Sequence, residues 1–229
     1  MIQISNFEIC NLSRIPTDNE SNPCYKTVKQ IIDEGDNFDT NLYKDTELYR
    51  HYNSYNPITM YDMYNRVEKL KNYSAKTVFL PWIYKQPLEN MRDIAVIEYE
   101  NEDFVCNQLK KIKKLIESFT KNGYNPNLFP DRKGGNVTGY FLKKGKIKKF
   151  YIVSGNHRVS VFFALFPDQQ LSVAYEDSKF AKPRELMGRS PDEFLQVYDI
   201  ANASQWPSVK SGFLTTQEAI DIAEVYINV

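Results

Sequence analysis

The sequence predicts an α+β fold: a mixed sheet with helices, preceded by a helical N-terminal extension and followed by a C-terminal tail helix. Three observations carry this. Between residues 78 and 180, short apolar runs of strand length alternate with segments of helical period. Residues 137–142 and 148–153 read as two strands joined by the turn Lys143, Lys144, Gly145, Lys146. Tyr151, Ile152 and Val153 then run through Ser154 and Gly155 straight into an apolar helical segment that reaches Phe166. The chain divides accordingly into an extension (1–77), a core (78–180) and a tail (181–229).

Taken in order, residues 1–77 are polar and rich in Asn and Tyr. Met60, Met63, Tyr64, Val67 and Leu70 recur at three- and four-residue steps, which predicts an amphipathic helix. The extension either packs on the core or closes over a substrate. Val78 to Trp82 is short and apolar, and Tyr84, Lys85, Gln86 and Pro87 follow it. Ile94 to Tyr99 fits a strand or a buried helical turn equally well. Leu109, Ile112, Leu115, Ile116 and Phe119 mark an amphipathic helix that ends at Asn122–Gly123, a good C-cap. Tyr124 to Pro130 is read as extended and 131–135 as a loop. After the hairpin and the helix from Asn156, Leu171 to Tyr175 is another strand. Beyond Phe180 the chain is charged and punctuated by proline. A last helix is capped by Thr215 or Thr216, with Glu218 in its first turn and Ala219, Ile222, Ala223 and Tyr226 on its apolar face. Trp206–Pro207 precedes it in a loop that packs back on the body.

At 229 residues the chain is long enough to bury a real core. Lys+Arg and Asp+Glu are equal at 29, so net charge is zero and indiscriminate nucleic-acid binding is disfavoured. Cys10, Cys24 and Cys106 are far apart and form no Cys-x-x-Cys pair, which argues against a disulfide framework or structural zinc. The first residues have neither a basic n-region nor a long apolar stretch, and no run approaches the roughly 20 apolar residues of a membrane span. The expectation is a cytoplasmic protein with no membrane partner; nothing in the sequence sets its oligomeric state.

The charge is unevenly placed. Residues 105–150 hold 12 Lys/Arg against two acids, Glu117 and Asp131, a local excess of 12 − 2 = +10. Either a helix face and a hairpin are simply solvated, or this surface steers a nucleotide, a phosphorylated metabolite or nucleic acid.

The candidate site is the turn and helix start at Ser154, Gly155, Asn156, His157 and Arg158. A helix N-terminus carries unpaired N–H groups and the positive end of the macrodipole. His157 and Arg158 in the first turn make a socket for an anion, above all a phosphate. Arg158 offers a planar fork of donors to phosphate oxygens; a surface carboxylate is the alternative partner. His157 faces a ligand or is a core histidine bonded to a carbonyl. Asn156 contacts the ligand or caps the helix. Ser154 and Gly155 shape the turn, and Gly155 permits close approach of backbone to phosphate. Lys85 and Gln86 are candidates to reach the phosphates or base from a facing strand. The sequence identifies no catalytic base and no metal ligand; Glu89, Asp93, Asp131 and Asp177 are the acids considered.

Lys85-Gln86-Pro87, the helix running to Ser118 and Gly123, Asn125-Pro126, the hairpin over 137–153 and the box Gly155-Asn156-His157-Arg158 resemble, in that order, the elements of the ParB/sulfiredoxin superfamily. The resemblance covers about 100 of the 229 residues. It implies a ParB/sulfiredoxin-like nucleotide-binding core whose box holds nucleotide phosphates, with ATP or another nucleotide as cofactor and magnesium as its companion. Asn156 stands where sulfiredoxins carry their nucleophilic cysteine, and an amide cannot replace a thiolate. Ser154 stands where the free-serine kinases of the superfamily carry an aspartate. About 50 residues follow the core, without the helix-turn-helix of partition ParB proteins. Leu80-Pro81-Trp82, the Ser154–Arg158 box and the Trp206–Gly212 tail also resemble ParB-like proteins of bacterial surface-polysaccharide gene clusters. The implied function is a nucleotide-dependent phosphotransferase acting on a small hydroxyl-bearing metabolite. The alternative is a ParB-like nucleotide-binding regulatory protein that contacts nucleic acid without metabolic turnover.

Overall fold

A computed structural model of the chain describes residues 2–4, 9–10, 22–54, 80–83, 85, 102–128, 135–175 and 197–227. The expected helix over 60–70, the segment 94–99, Gln86 and the four acids Glu89, Asp93, Asp131 and Asp177 lie outside the described residues.

The described strands are β1 (Ile2–Ile4), β2 (Ile9–Cys10), β3 (Val137–Lys144), β4 (Ile147–Ser154), β5 (Leu171–Tyr175) and β6 (Val197–Asp199). They form an open sheet in the order β1-β5-β3-β4-β2, with β6 paired to β3. The sheet is mixed. β1 runs antiparallel to β5 with Ile2 opposite Val173, whereas β6 runs parallel to β3 with Val197 opposite Phe141. With its helices this is an α+β fold. The start of the chain departs from the expected helical extension, because β1 and β2 belong to the sheet. A three-residue strand is too short to show its period, and its hydrogen bonds come from a strand some 170 residues away.

Two compact units are distinguished. The first contains α1 (Pro23–Glu34), α2 (Glu47–Ser54), α3 (Glu102–Asn122) and α4 (Asn156–Leu165). Asn22 starts α1, its Oδ1 accepting the Tyr25 N–H at 3.0 Å, and Pro23 takes the first helical position. Thr46 Oγ1 accepts the Tyr49 N–H at 3.2 Å to start α2, and buried Thr27 of α1 accepts the Leu48 N–H at 2.9 Å. These bonds satisfy end groups that burial would otherwise strand. Along α3, Val105, Leu109, Ile112, Leu115 and Phe119 are buried at three- and four-residue steps. Gly123, at φ +65°, closes the helix with its N–H on Phe119 O. The segment expected to be extended after it contains a 3-10 turn, Pro126–Leu128, because Asn125 Oδ1 accepts the Asn127 N–H. Tyr124 lies against Phe119 and Phe162, and its hydroxyl accepts the Val137 N–H at 2.9 Å. α4 packs against both α1 and α3.

The second unit holds most of the β3–β4 hairpin and the tail. The hairpin turn is only Gly145 and Lys146, shorter than expected, since Gly145 takes φ +58° and lets the strands continue through Lys144 and from Ile147. The tail folds into a 3-10 helix (Ile200–Gln205), the single turn α5 (Pro207–Lys210) and α6 (Thr216–Ile227). Thr215 caps α6 in a reciprocal box: its Oγ1 accepts the Glu218 N–H at 3.2 Å, while Glu218 Oε2 accepts the Thr215 N–H at 2.7 Å. Ala219, Ile222, Ala223 and Tyr226 are buried as expected. Trp206 stacks edge-on to Trp82 at 5.6 Å, and Tyr226 does the same at 5.3 Å. The Ser208 N–H meets Pro81 O at 3.4 Å. The Leu80–Trp82 piece and the Trp206–Gly212 piece are therefore one packing module.

Candidate functional site

Ser154 ends β4, Gly155 is the N-cap of α4, and Asn156, His157 and Arg158 are the first three residues of the helix. All five are half-buried. Gly155, at φ +106° and ψ 22°, makes no side-chain cap. Asn156 sits one position inside the helix and is not its cap. The glycine conformation is one that L side chains rarely adopt, and Val137 lies against it.

His157 is half-buried as a residue, yet its Nε2 is fully enclosed and has no hydrogen-bond partner among the described residues. Burial, then the positive charges of Lys111 and Arg158, lowers its pKa from 6.5 to about 4. The imidazole is therefore neutral at pH 7. The reading of His157 as a core histidine satisfied by a carbonyl finds no such bond at Nε2.

Lys111 is the residue that sequence reasoning left in the general basic stretch. It is exposed on α3, between the buried positions Gln108, Ile112 and Leu115. That border position, one step off the apolar stripe, is the signal that could have found it. α3, which carries it, packs with α4. The charges of Lys111 and Arg158 thus both bear on one neutral imidazole. Cationic side chains and the free N–H groups of a helix start are groups of the kind that can meet an anion. Among the described residues no group of three His, Cys, Asp or Glu could hold a metal ion.

The rest of the basic stretch divides. On α3, Lys110, Lys114 and Lys121 are exposed and form no ion pair among the described residues. On the hairpin, Lys143 pairs with Asp199 at 2.8 Å and Lys144 with Glu224 at 2.7 Å. Lys143, helped by the Ala201 N–H, holds the Asp199 carboxyl below its usual range. Lys148 lies 3.8 Å over the Phe141 ring. Lys85 is exposed and belongs to the second unit, where its carbonyl accepts the Ser211 hydroxyl at 2.5 Å.

Among the described residues no helix is long and apolar enough to cross a membrane. Comparison with family models, with curated proteins and with solved structures returned no match to this chain.

Proposed function

We propose that the protein binds a nucleotide through its phosphates at the start of α4 and transfers a phosphoryl group to a small hydroxyl-bearing metabolite. The ParB/sulfiredoxin-like identity of the core, and a setting in surface-polysaccharide synthesis, are parts of the same proposal. The observation that carries it is the enclosed, unpartnered Nε2 of His157 beside Lys111 and Arg158. In this reading Arg158 grips phosphate oxygens with its fork, the α4 backbone adds its N–H groups, and Lys111 balances charge from the neighbouring helix. Catalysis is then positioning and electrostatic stabilisation of the transferred group. Magnesium, arriving with the nucleotide, supplies charge neutralisation at the β- and γ-oxygens. No step is assigned to a protein base.

A thermal-shift series with ATP, ADP, CTP and GTP, each with magnesium, tests the binding half, because a ligand that prefers the native state raises the melting temperature by mass action. Incubation with Mg·ATP and a pool of polyols, sugars and amino acids tests the transfer half. The expected results are a shift with at least one triphosphate and a phosphorylated acceptor. No shift with any nucleotide overturns the proposal.

One observation favours a second reading, a nucleotide-responsive regulatory protein. The exposed lysines of α3 have no ion pairs among the described residues, whereas two hairpin lysines do. Retention on immobilised DNA that falls steeply with salt, together with nucleotide binding but no phosphorylated acceptor, selects this reading.

A further inference from the structure

We infer that the outer face of α3 docks the phosphate backbone of a duplex nucleic acid without reading its bases. This rests on the regulatory reading and specifies its partner, but it needs no ligand at the start of α4. From Phe104 to Asn122 the helix carries five lysines against one acid, Glu117, a local excess of 5 − 1 = +4. Lys110, Lys111, Lys114 and Lys121 are exposed, and the helix period sets them within about 100° of one another around the axis. None of the four forms an ion pair among the described residues, whereas Lys143 and Lys144 of the hairpin are met by Asp199 and Glu224. The row from Lys110 to Lys121 rises about 16 Å, enough to meet phosphates on both edges of a major groove about 12 Å wide.

The chemistry of this face favours one partner. Its other exposed positions are Asn107, Glu117, Thr120 and Asn122, so amide and hydroxyl donors stand among the lysines. A protein partner fits poorly, because protein interfaces are depleted of lysine and built on aromatic, Met and Arg side chains. A lipid surface fits poorly as well, since a helix lying on one buries an apolar face. Among the described residues the exposed large apolar side chains are Leu128 and Ile147, and neither is on α3. Single strands are held by rings on which their bases stack, and no exposed position of α3 is aromatic. A regular array of phosphates met by compact point charges is the match, and such contacts carry no sequence information.

Fluorescence polarisation of short labelled DNA duplexes with the full chain tests this. The expected result is binding that weakens about a hundredfold from about 50 to 200 mM salt, as about four phosphate contacts require, and that is alike for duplexes of different sequence. The variant carrying Lys110→Gln, Lys114→Gln and Lys121→Gln together is expected to lose about tenfold or more in affinity at low salt, and most of the salt dependence. All three side chains are exposed, so the fold is expected to be kept, which circular dichroism checks. Lysine-to-arginine changes at the same three positions keep the charge and are expected to keep the binding. The matching single strand is expected to bind more weakly than the duplex, and vesicles containing phosphatidylserine to be held weakly. Tighter binding of the single strand, a marked preference for one sequence, or a glutamine variant that holds duplex as well as the unaltered protein overturns the inference and leaves the regulatory reading standing. Absence of duplex binding, with or without capture by the vesicles, overturns both. Thermal shift with Mg·ATP on the glutamine variant, which retains Lys111 and Arg158, separates this face from the start of α4. Unchanged stabilisation beside lost duplex binding is the expected pattern; loss of both means that the lysines act through the α4 site and overturns the inference.

Discussion

Gly155 is pressed against Val137: a Cβ on the glycine would lie 2.9 Å from Val137 Cγ2 and 3.1 Å from its Cα, in a residue whose φ is +106°. The glycine is thus required by the β3 contact and by its left-handed backbone, before any ligand is considered. Gly155→Ala is expected to lower stability by about 1–3 kcal/mol, from backbone strain plus overpacking. Urea unfolding reads this as a lower midpoint with an unchanged slope. An unchanged midpoint would show that β3 and the α4 start separate at little cost.

Arg158 tests the site from its charge. Its side chain is half-buried at the start of α4, where its charge is one of those bearing on His157. Arg158→Ala is expected to weaken phosphate or nucleotide binding by about 1.5–3 kcal/mol, the range for a hydrogen bond to a charged group. Calorimetric titration measures the loss, and far-UV circular dichroism checks that the fold is kept. Equal affinities in the two proteins would place the anion elsewhere.

The pH dependence of stability has a defined sign. In the unfolded chain His157 titrates near 6.5, and in the folded, anion-free protein near 4. Between these values the unfolded state binds more protons. The contribution is fully present above pH 6.5 and is lost as pH falls through the window toward 4. It amounts to an order of 1–3 kcal/mol. Urea midpoints of the unaltered protein in chloride buffer are therefore expected to drop more steeply from pH 7 to pH 5 than those of His157→Gln. Parallel profiles in the two proteins would mean that His157 is as well solvated folded as unfolded.

These tests bear on parts of the molecule that were legible in the sequence to different degrees. The stripe Leu109, Ile112, Leu115, Phe119 and the cap Gly123 were readable because helix period and capping are local. So was the Thr215–Glu218 box. The hairpin and the helix opening at Asn156 were readable for the same reason. β1 was not, since its identity as a strand depends on pairing with β5 at the far end of the chain. At the site, His157 and Arg158 stood out because they share one helix turn. Lys111 did not, because its role comes from the packing of α3 on α4. The same limit explains the hairpin lysines, whose charge is met by Asp199 and Glu224 from the tail.

Trp82 joins several elements of the second unit. It is 1% exposed and meets the rings of Trp206, Tyr226 and Tyr198 at 5.6, 5.3 and 6.4 Å. Replacing it by alanine removes the wall against which α5, α6 and β6 are set, at an expected cost of about 3–5 kcal/mol. The near-ultraviolet dichroism of the aromatic cluster is expected to collapse with it. Retention of both signal and stability would mean that the tail packs without Trp82.

Cysteine chemistry provides the last test, and it separates this site from one built on a thiolate. Cys24 lies on α1 with no exposed surface, and burial pushes its thiol up to about 12, only partly offset by a hydrogen bond with Ser160. A thiol in that state is neither ionised nor reachable at pH 8. Cys106 on α3 is half-exposed. Native-state alkylation at pH 8, followed by peptide mapping, is expected to leave Cys24 unmodified while Cys106 reacts, and 6 M urea is expected to release Cys24 for full labelling. The first turn of α4 carries Asn156, His157 and Arg158 and no cysteine. An unreactive Cys24 means that any group transfer at the start of α4 proceeds without a Cys24 intermediate. Rapid modification of Cys24 in the folded protein would reverse that conclusion and point to an opening between α1 and α4.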